Sequence, residues 1–324
     1  MKKRVLSGIR ATGRLHLGNY LGAIKGMIDL QNDPEYESLF MVADVHTLTT
    51  PYNIEELKLN RKEVILDYLA AGLDPEKSIL FQQGEVHQHV ELAFYLSSVV
   101  SIARMQHLPT FKDKIKQHPQ HVTMALLNYP ILMAADILVY KASLVPVGLD
   151  QEPHLEVARE IARKMNVQYG TDFPEPKRYI TQGEYIPSLK GEGKMGKSIE
   201  GSFINLMDSE QEIQKKVRSI PTATISGGEM NGGVKALFTF AKLYLPHKVQ
   251  DFETQYNDGS LQFGSMKDVV AAAIYTELKP FQEKRRHFEN DPEYVTTVIQ
   301  EGAAKARIIA QETIHQVKAK MGLA

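Results

Sequence analysis

The chain has 324 residues, 43% hydrophobic and 24% charged, with a formal net charge of −1; this length suits a large α/β domain with a smaller one beside it, and nothing in the composition reads as disorder or low complexity. It contains no cysteine, which removes disulfides, thiolate nucleophiles, cysteine-based structural zinc and iron–sulfur ligation together. The near-neutral charge leaves any nucleic-acid contact to local patches, and no apolar run approaches a membrane-spanning or signal-peptide length, so a cytoplasmic protein with no membrane partner is expected.

Along the first two-thirds, short β-rich apolar runs alternate with segments of helical period. "RVLSGI" (4–9), "SLFMVAD" (38–44), "SILFQQ" (78–83) and "LVPVG" (144–148) read as buried strands, and 18–31, 54–72 and 89–105 as helices. That alternation predicts a Rossmann-like, doubly wound parallel sheet whose ligands bind beyond the carboxyl ends of the strands. Residues 106–140 interrupt the rhythm with a polar loop and a long apolar helix, read as a helical insertion. After about residue 205 only helices are expected, with a kink at Pro280. The predicted organisation is therefore a sheet domain over 1–205 and an all-helical domain over 206–324, ending in a long helix.

Three constellations could carry chemistry. In "GRLHLGNY" (13–20), Gly13, His16, Gly18 and Asn19 fall where a strand gives way to a helix; alone this fits a tight turn with a cap, and equally a phosphate seated on a helix N-terminus. In "VPVGLDQEPH" (145–154), Gly148 closes a strand and Asp150 could accept both ribose hydroxyls or cap the following helix. In "GEGKMGKS" (191–198), a glycine-punctuated loop presents Lys194 and Lys197, either as a solvated loop or as a mobile clamp on a polyphosphate; it lacks the P-loop spacing.

On the helix of "YPILMAADILVY", Tyr129, Met133, Asp136 and Tyr140 share one face. Apolar stripes are usually core filler, but a carboxylate on that face needs a partner if it is buried.

Taken in order, these segments resemble the class I aminoacyl-tRNA synthetases, with their H-x-G-[HN] signature and K-M-S-K-S loop. The chain is more closely similar to the bacterial tryptophanyl-tRNA synthetase family, through "SGIRATGRLHLGNYLGA", "VADVHTLTT", "YPILMAADILVYKASLVPVGLDQEPHLEVAREIARK", "KMGKS" and "EGAAKARIIAQETIHQVKAKMGL". The resemblance implies a ligase that activates L-tryptophan with Mg2+-ATP and passes the acyl group to tRNA(Trp). The first step is in-line attack of the tryptophan carboxylate on the α-phosphate, and positioning and charge stabilisation supply the catalysis without a nucleophilic side chain.

Carried over by motif, the resemblance implies His16, Lys194 and Lys197 as catalytic residues. ATP would be held by Arg10, Ala11, Thr12, Gly18, Asn19, Gly148, Leu149, Asp150, Ile186, Lys194, Met195, Gly196, Lys197 and Ser198, with Lys112 or Lys114 reaching the phosphates. Asp136 would accept the indole N–H and Met133 would press on the ring, with Asp44 and His46 shaping the same pocket. The family also implies a homodimer and an anticodon-binding role for the helical domain; no metal site, structural zinc or iron–sulfur cluster is expected in the protein itself.

The sequence departs from the family at Gly196, where serine is usual, at Arg10, where many relatives have glutamine, and in "GLDQ" for "GEDQ". The helical region carries 15 Lys/Arg against 16 Asp/Glu over 200–324, so its charge gives no separate signal for RNA; Lys215, Lys216, Arg218 and the run 284–287 are its candidate phosphate contacts. Tyrosyl-tRNA synthetase, a small nucleotidyltransferase and a non-catalytic paralogue binding tryptophan or RNA are the competing readings.

Overall fold

The computed structural model describes residues 2–180, 185–197, 199–222 and 228–324. Its centre is a five-stranded, all-parallel sheet built from β1 (Lys3–Arg10), β2 (Tyr36–Ala43), β3 (Ser78–Gln82), β4 (Leu144–Pro146) and β5 (Lys177–Tyr179), in the order β3-β2-β1-β4-β5. Four of these strands are the apolar runs read from the sequence. β5 has no such signature, because "KRY" is a three-residue polar edge strand. Strand order reverses between β1 and β4, the switch point at which parallel α/β sheets leave a crevice beyond their carboxyl ends. Arg10 to Thr12 leave the sheet on one side of this point and Gly148 to Asp150 on the other.

The expected first helix forms as one α turn (Leu17–Asn19), a π-helical turn (Tyr20–Ile24) and a further α segment (Lys25–Asn32). The helix Ile54–Ala71 is bounded as its ends dictate: the Asn53 side chain accepts the N–H groups of Glu55 and Glu56, and Gly72 takes φ +104°. The single helix expected over 89–105 is two, Gln88–Ser97 and Ile102–Gln106, the second started by the Ser101 hydroxyl accepting from Arg104 N–H. The insertion folds as Pro109–Gln117 and Met124–Val139. The second of these joins the sheet's core through Leu126, Ile131, Ala134, Ala135 and Leu138.

Contacts divide the chain into two units: Met1–Gly13, Lys25–Thr181 and Phe288–Ala324 in one, Arg14–Ile24 and Gln182–His287 in the other. The division therefore does not follow the sequence boundary at 205. The long C-terminal helix Pro292–Met321 shares the core of the sheet through Ala303, Ala306, Ala310, Ile314 and Val317. Its Gly302 lies so close to β3 that an added β-carbon would overlap the Leu80 carbonyl oxygen, at 1.7 Å.

In the second unit, 14–17 pair with 204–206: Leu17 N–H donates to Ile204 O at 2.9 Å and Leu206 N–H to Leu15 O at 3.2 Å. The helices Glu210–Arg218, Gly232–Tyr244, Val249–Asp258 and Phe263–Glu289 follow, the last running unbroken through Pro280. Lys267 donates to the carbonyls of Ile220 and Arg218, placing a cation at the end of the helix Glu210–Arg218, where the helix dipole favours one. Among the described residues, no helix is long and apolar enough to cross a membrane.

Candidate functional site

The second unit brings the first and third constellations together. His16 is buried, and its Nδ1 has no hydrogen-bond partner among the described residues. Burial pushes its imidazole down to about 4, with the positive charges of Lys197 and Lys194 adding to the effect. The ring is therefore neutral at pH 7, with one of its nitrogens buried and unpartnered among the described residues. Its backbone N–H donates to Asn19 Oδ1 at 3.2 Å, so Asn19 has a local role in closing the helix start. A β-carbon on Gly18 would stand 3.0 Å from the imidazole Cε1 and Nδ1 and 3.4 Å from Met195 Cβ.

The lysine loop is held as a short hairpin. Met195 N–H donates to the carbonyl of buried Ile186 at 2.8 Å and Ser188 N–H to Gly193 O at 3.0 Å, while Gly191 and Gly193 take φ +82° and +72°. Lys194 projects from the hairpin into solvent. Gly196 has nothing within 4 Å of an added β-carbon and an ordinary φ; its carbonyl accepts from the buried Ser202 hydroxyl. Ser198 lies outside the described residues.

Lys216 is paired with Asp208 and lies over the Phe203 ring, Arg218 holds Asp268 through two nitrogens, and Arg285 is fully buried. These candidate phosphate contacts are engaged within the fold.

In the sheet unit, Arg10 at the end of β1 donates through Nη2 to His46 O and Thr50 Oγ1, while its buried Nε has no partner among the described residues. Burial lowers its pKa, against an opposing effect from Tyr129; burial and then Arg10 lower that of Lys114. Lys114 is half-buried and its Nζ donates to Gln117 Oε1 at 3.3 Å, whereas Lys112 is exposed. Beyond β4, Leu149–Gln151 form a single 3-10 turn and Gln151 takes the cap position of the helix Glu152–Tyr169. Asp150 is thus not the cap, and its carboxylate is exposed, accepting from Gln151 Nε2 at 2.5 Å.

A chain of polar groups leads to that carboxylate. Tyr129 hydroxyl donates to Thr110 Oγ1 at 2.8 Å, Thr110 lies 3.0 Å from His154 Nε2, and His154 Nδ1 lies 3.0 Å from Gln151 Oε1. Burial pushes His154 down to about 4, with Asp150 opposing and His46 adding, so its ring is neutral. It accepts from Thr110 and donates to Gln151.

Asp136 is almost wholly buried, 1% exposed. Its Oδ1 is 2.7 Å from both Gln83 Nε2 and His89 Nδ1, and its Oδ2 is 2.8 Å from His46 Nε2. Burial alone would raise its pKa; His46 and His89 outweigh that and hold it below the usual carboxylate value. An ionised carboxylate is kept inside the protein by three donors. Met133, one turn earlier on the same helix, is half-buried against the core.

Asp44, by contrast, is occupied by local structure. It accepts from Val45 N–H and Gly84 N–H and pairs with Arg61.

Residues 1–279 match the family model of class I tRNA synthetases for W and Y. The chain is 38% identical over 327 residues to the tryptophan–tRNA ligase of Porphyromonas gingivalis, covering 98% of each. It is 39% identical over 329 residues to that of Helicobacter pylori, covering 99% of each. The chain belongs to the tryptophan–tRNA ligase family. Among solved structures, tryptophanyl-tRNA synthetase from Campylobacter jejuni complexed with ADP and tryptophan matches at TM-score 0.86 and 32% identity, over 99% of this chain and 100% of that one.

Within this family member, sequence reasoning singled out Asp136 and His46 but not Gln83, His89, Thr110 or His154. The signal available was position: Gln83 and His89 follow the carboxyl end of β3, where a parallel sheet gathers its functional groups. Among the described residues, no three His, Cys, Asp or Glu side chains are grouped to hold a metal ion.

Proposed function

We propose that the protein attaches L-tryptophan to tRNA(Trp) in two steps, with ATP as the activating substrate and magnesium entering as part of the ATP complex. The observation that carries this reading is the ionised, buried Asp136: its Oδ2 has one donor among the described residues, which leaves that oxygen able to accept an indole N–H. A side chain without that N–H, as in phenylalanine, leaves a buried charge short of a partner, and sites built on such a bond discriminate by roughly 10⁴ or more. Met133 would lie against the ring, its sulfur adaptable to an aromatic edge.

In the first step a tryptophan carboxylate oxygen forms a bond to the α-phosphorus as the bond to the bridging oxygen of pyrophosphate breaks. Lys194 and Lys197 would neutralise charge on the departing pyrophosphate, and neutral His16 would donate to a phosphate oxygen as charge develops. Arg10 to Thr12, with Lys114, would hold the anionic end of a substrate, and Gly148 to Asp150 the ribose. In the second step a hydroxyl of the terminal tRNA ribose attacks the acyl carbon and AMP leaves. The helices after 205 would read the tRNA, and the working form would be a cytoplasmic homodimer.

Incubation with ATP, labelled pyrophosphate and each amino acid in turn tests this. Exchange of label into ATP should depend on tryptophan; exchange with tyrosine alone, or none, overturns the reading. Aminoacylation of tRNA(Trp) and sedimentation then test the RNA partner and the dimer.

A further inference from the structure

We infer that His89, oriented by the hydroxyl of Tyr140, is a positioning residue that fixes which oxygen of Asp136 can receive the amino-acid substrate. This rests on the proposal that Asp136 binds tryptophan. His89 is wholly buried, and its two ring nitrogens meet two different partners: Nδ1 at 2.7 Å from Asp136 Oδ1 and Nε2 at 2.7 Å from the Tyr140 hydroxyl. A carboxylate can only accept, so Nδ1 carries a proton. Burial, and then the charge of Asp136, keep the Tyr140 phenol protonated. The phenol can therefore donate to Nε2, an arrangement in which Nδ1 is the nitrogen that donates to Asp136.

Gln83 is fixed by the same logic. Its Oε1 accepts from Val45 N–H at 3.1 Å, which turns its Nε2 toward Asp136 Oδ1 at 2.7 Å. Oδ1 is thereby filled by two donors from the inner side of the site. Among the described residues Oδ2 receives only His46, whose side chain is 11% exposed against 0% for that of His89. Access to the carboxylate is from the His46 side, and the vacant acceptor position is on the oxygen that faces it. Because Tyr140 and Asp136 are one turn apart on one helical stretch, the loop of contacts Asp136–His89–Tyr140 closes on itself and holds the carboxylate plane against rotation. A carboxylate free to rotate would offer either oxygen, and a hydroxyl-bearing side chain could then be accommodated as well as an indole.

The test uses the full chain and three variants. Tyr140→Phe removes the donor to Nε2 and little else. His89→Asn keeps an N–H where Nδ1 stands, and His89→Gln moves it out to the position of Nε2. In tryptophan-dependent pyrophosphate exchange, His89→Gln should raise KM for tryptophan by roughly 10- to 100-fold, as loss of a bond to a buried charge predicts, with KM for ATP within about twofold. His89→Asn should recover most of that loss. Tyr140→Phe should raise KM for tryptophan several-fold and narrow the preference over tyrosine.

A merely structural role would lower the melting temperature and the active fraction while leaving KM for tryptophan and the preference unchanged. That outcome in Tyr140→Phe, or equal losses in the two His89 variants, overturns the inference. Absence of tryptophan-dependent exchange in the unaltered protein refutes the proposed function instead.

Discussion

The imidazole of His16 occupies the space that a side chain at Gly18 would need, an added β-carbon coming within 3.0 Å of two of its ring atoms. The glycine of the signature is thus required first by its own histidine. Gly18→Ala should turn or displace the ring, and small misplacements of a catalytic group cost on the order of 10²-fold in rate. We expect kcat for pyrophosphate exchange to fall at least tenfold with KM for tryptophan little changed. A fully active Gly18→Ala protein would show that the ring's position does not matter.

Asp136→Asn keeps the shape of the carboxyl group and removes its charge, leaving His46 and His89 facing an amide. KM for tryptophan should rise roughly 100-fold or more, the range in which unpaired polar groups act on selectivity. Steady-state kinetics with tryptophan and tyrosine side by side provide the check. The chain itself contains no tryptophan, so fluorescence of bound ligand gives an independent Kd.

Two histidines, His16 and His154, are held at about 4 against an ordinary value of 6.5. The folded protein binds fewer protons than the unfolded chain between these values, so each contributes stability that is complete above 6.5 and is lost as pH falls toward 4. The melting temperature should therefore decline from pH 7 to pH 4. His154→Gln should flatten that decline, and a variant whose profile parallels the unaltered protein would contradict the assignment.

Gly196→Ser restores the residue common in the family's loop. With no atom within 4 Å of the new β-carbon and an ordinary backbone, it should fold as well as the unaltered chain, within about 0.5 kcal/mol. A less flexible loop should lower KM for ATP a few-fold. An increase in that constant would mean that the loop's freedom is needed for closure.

Gly302→Ala drives a methyl group into the Leu80 carbonyl of β3. Either the C-terminal helix moves off the sheet or the strand shifts, and overpacking of this kind costs about 3 kcal/mol or more. Urea denaturation should show a lower midpoint; an unchanged one would place the helix farther from β3.

Much of this was legible in the chain. Alternating apolar runs marked four of five strands, and the positions of His16, Asp150 and Asp136 followed from strand ends and from a carboxylate on an apolar helical face. What escaped depended on tertiary packing. His89 is 47 residues from Asp136, and no local pattern announces that pairing. β5 is too short and polar to carry a period. The long C-terminal helix is legible as a helix, but its period does not announce that Gly302, Ala303, Ala306 and Ala310 form a small-residue face packed in the sheet's unit. The sequence leaves Asp150 open between cap and ligand, and the backbone gives the cap to Gln151.

That last helix has a bearing on how the protein is made. Because 288–324 belong to the same unit as the strands at the start of the chain, a nascent polypeptide emerging from the ribosome carries an uncovered sheet for most of its synthesis. Premature termination after about residue 290 would leave β3 without its small-residue neighbour and Gln88 without Gln311, which accepts its side-chain amide at 2.8 Å. A molecule that lacked its final helix would expose the apolar surface of the sheet that Ala303, Ala306, Ala310, Ile314 and Val317 pack against, the kind of surface that makes incomplete chains prone to aggregate.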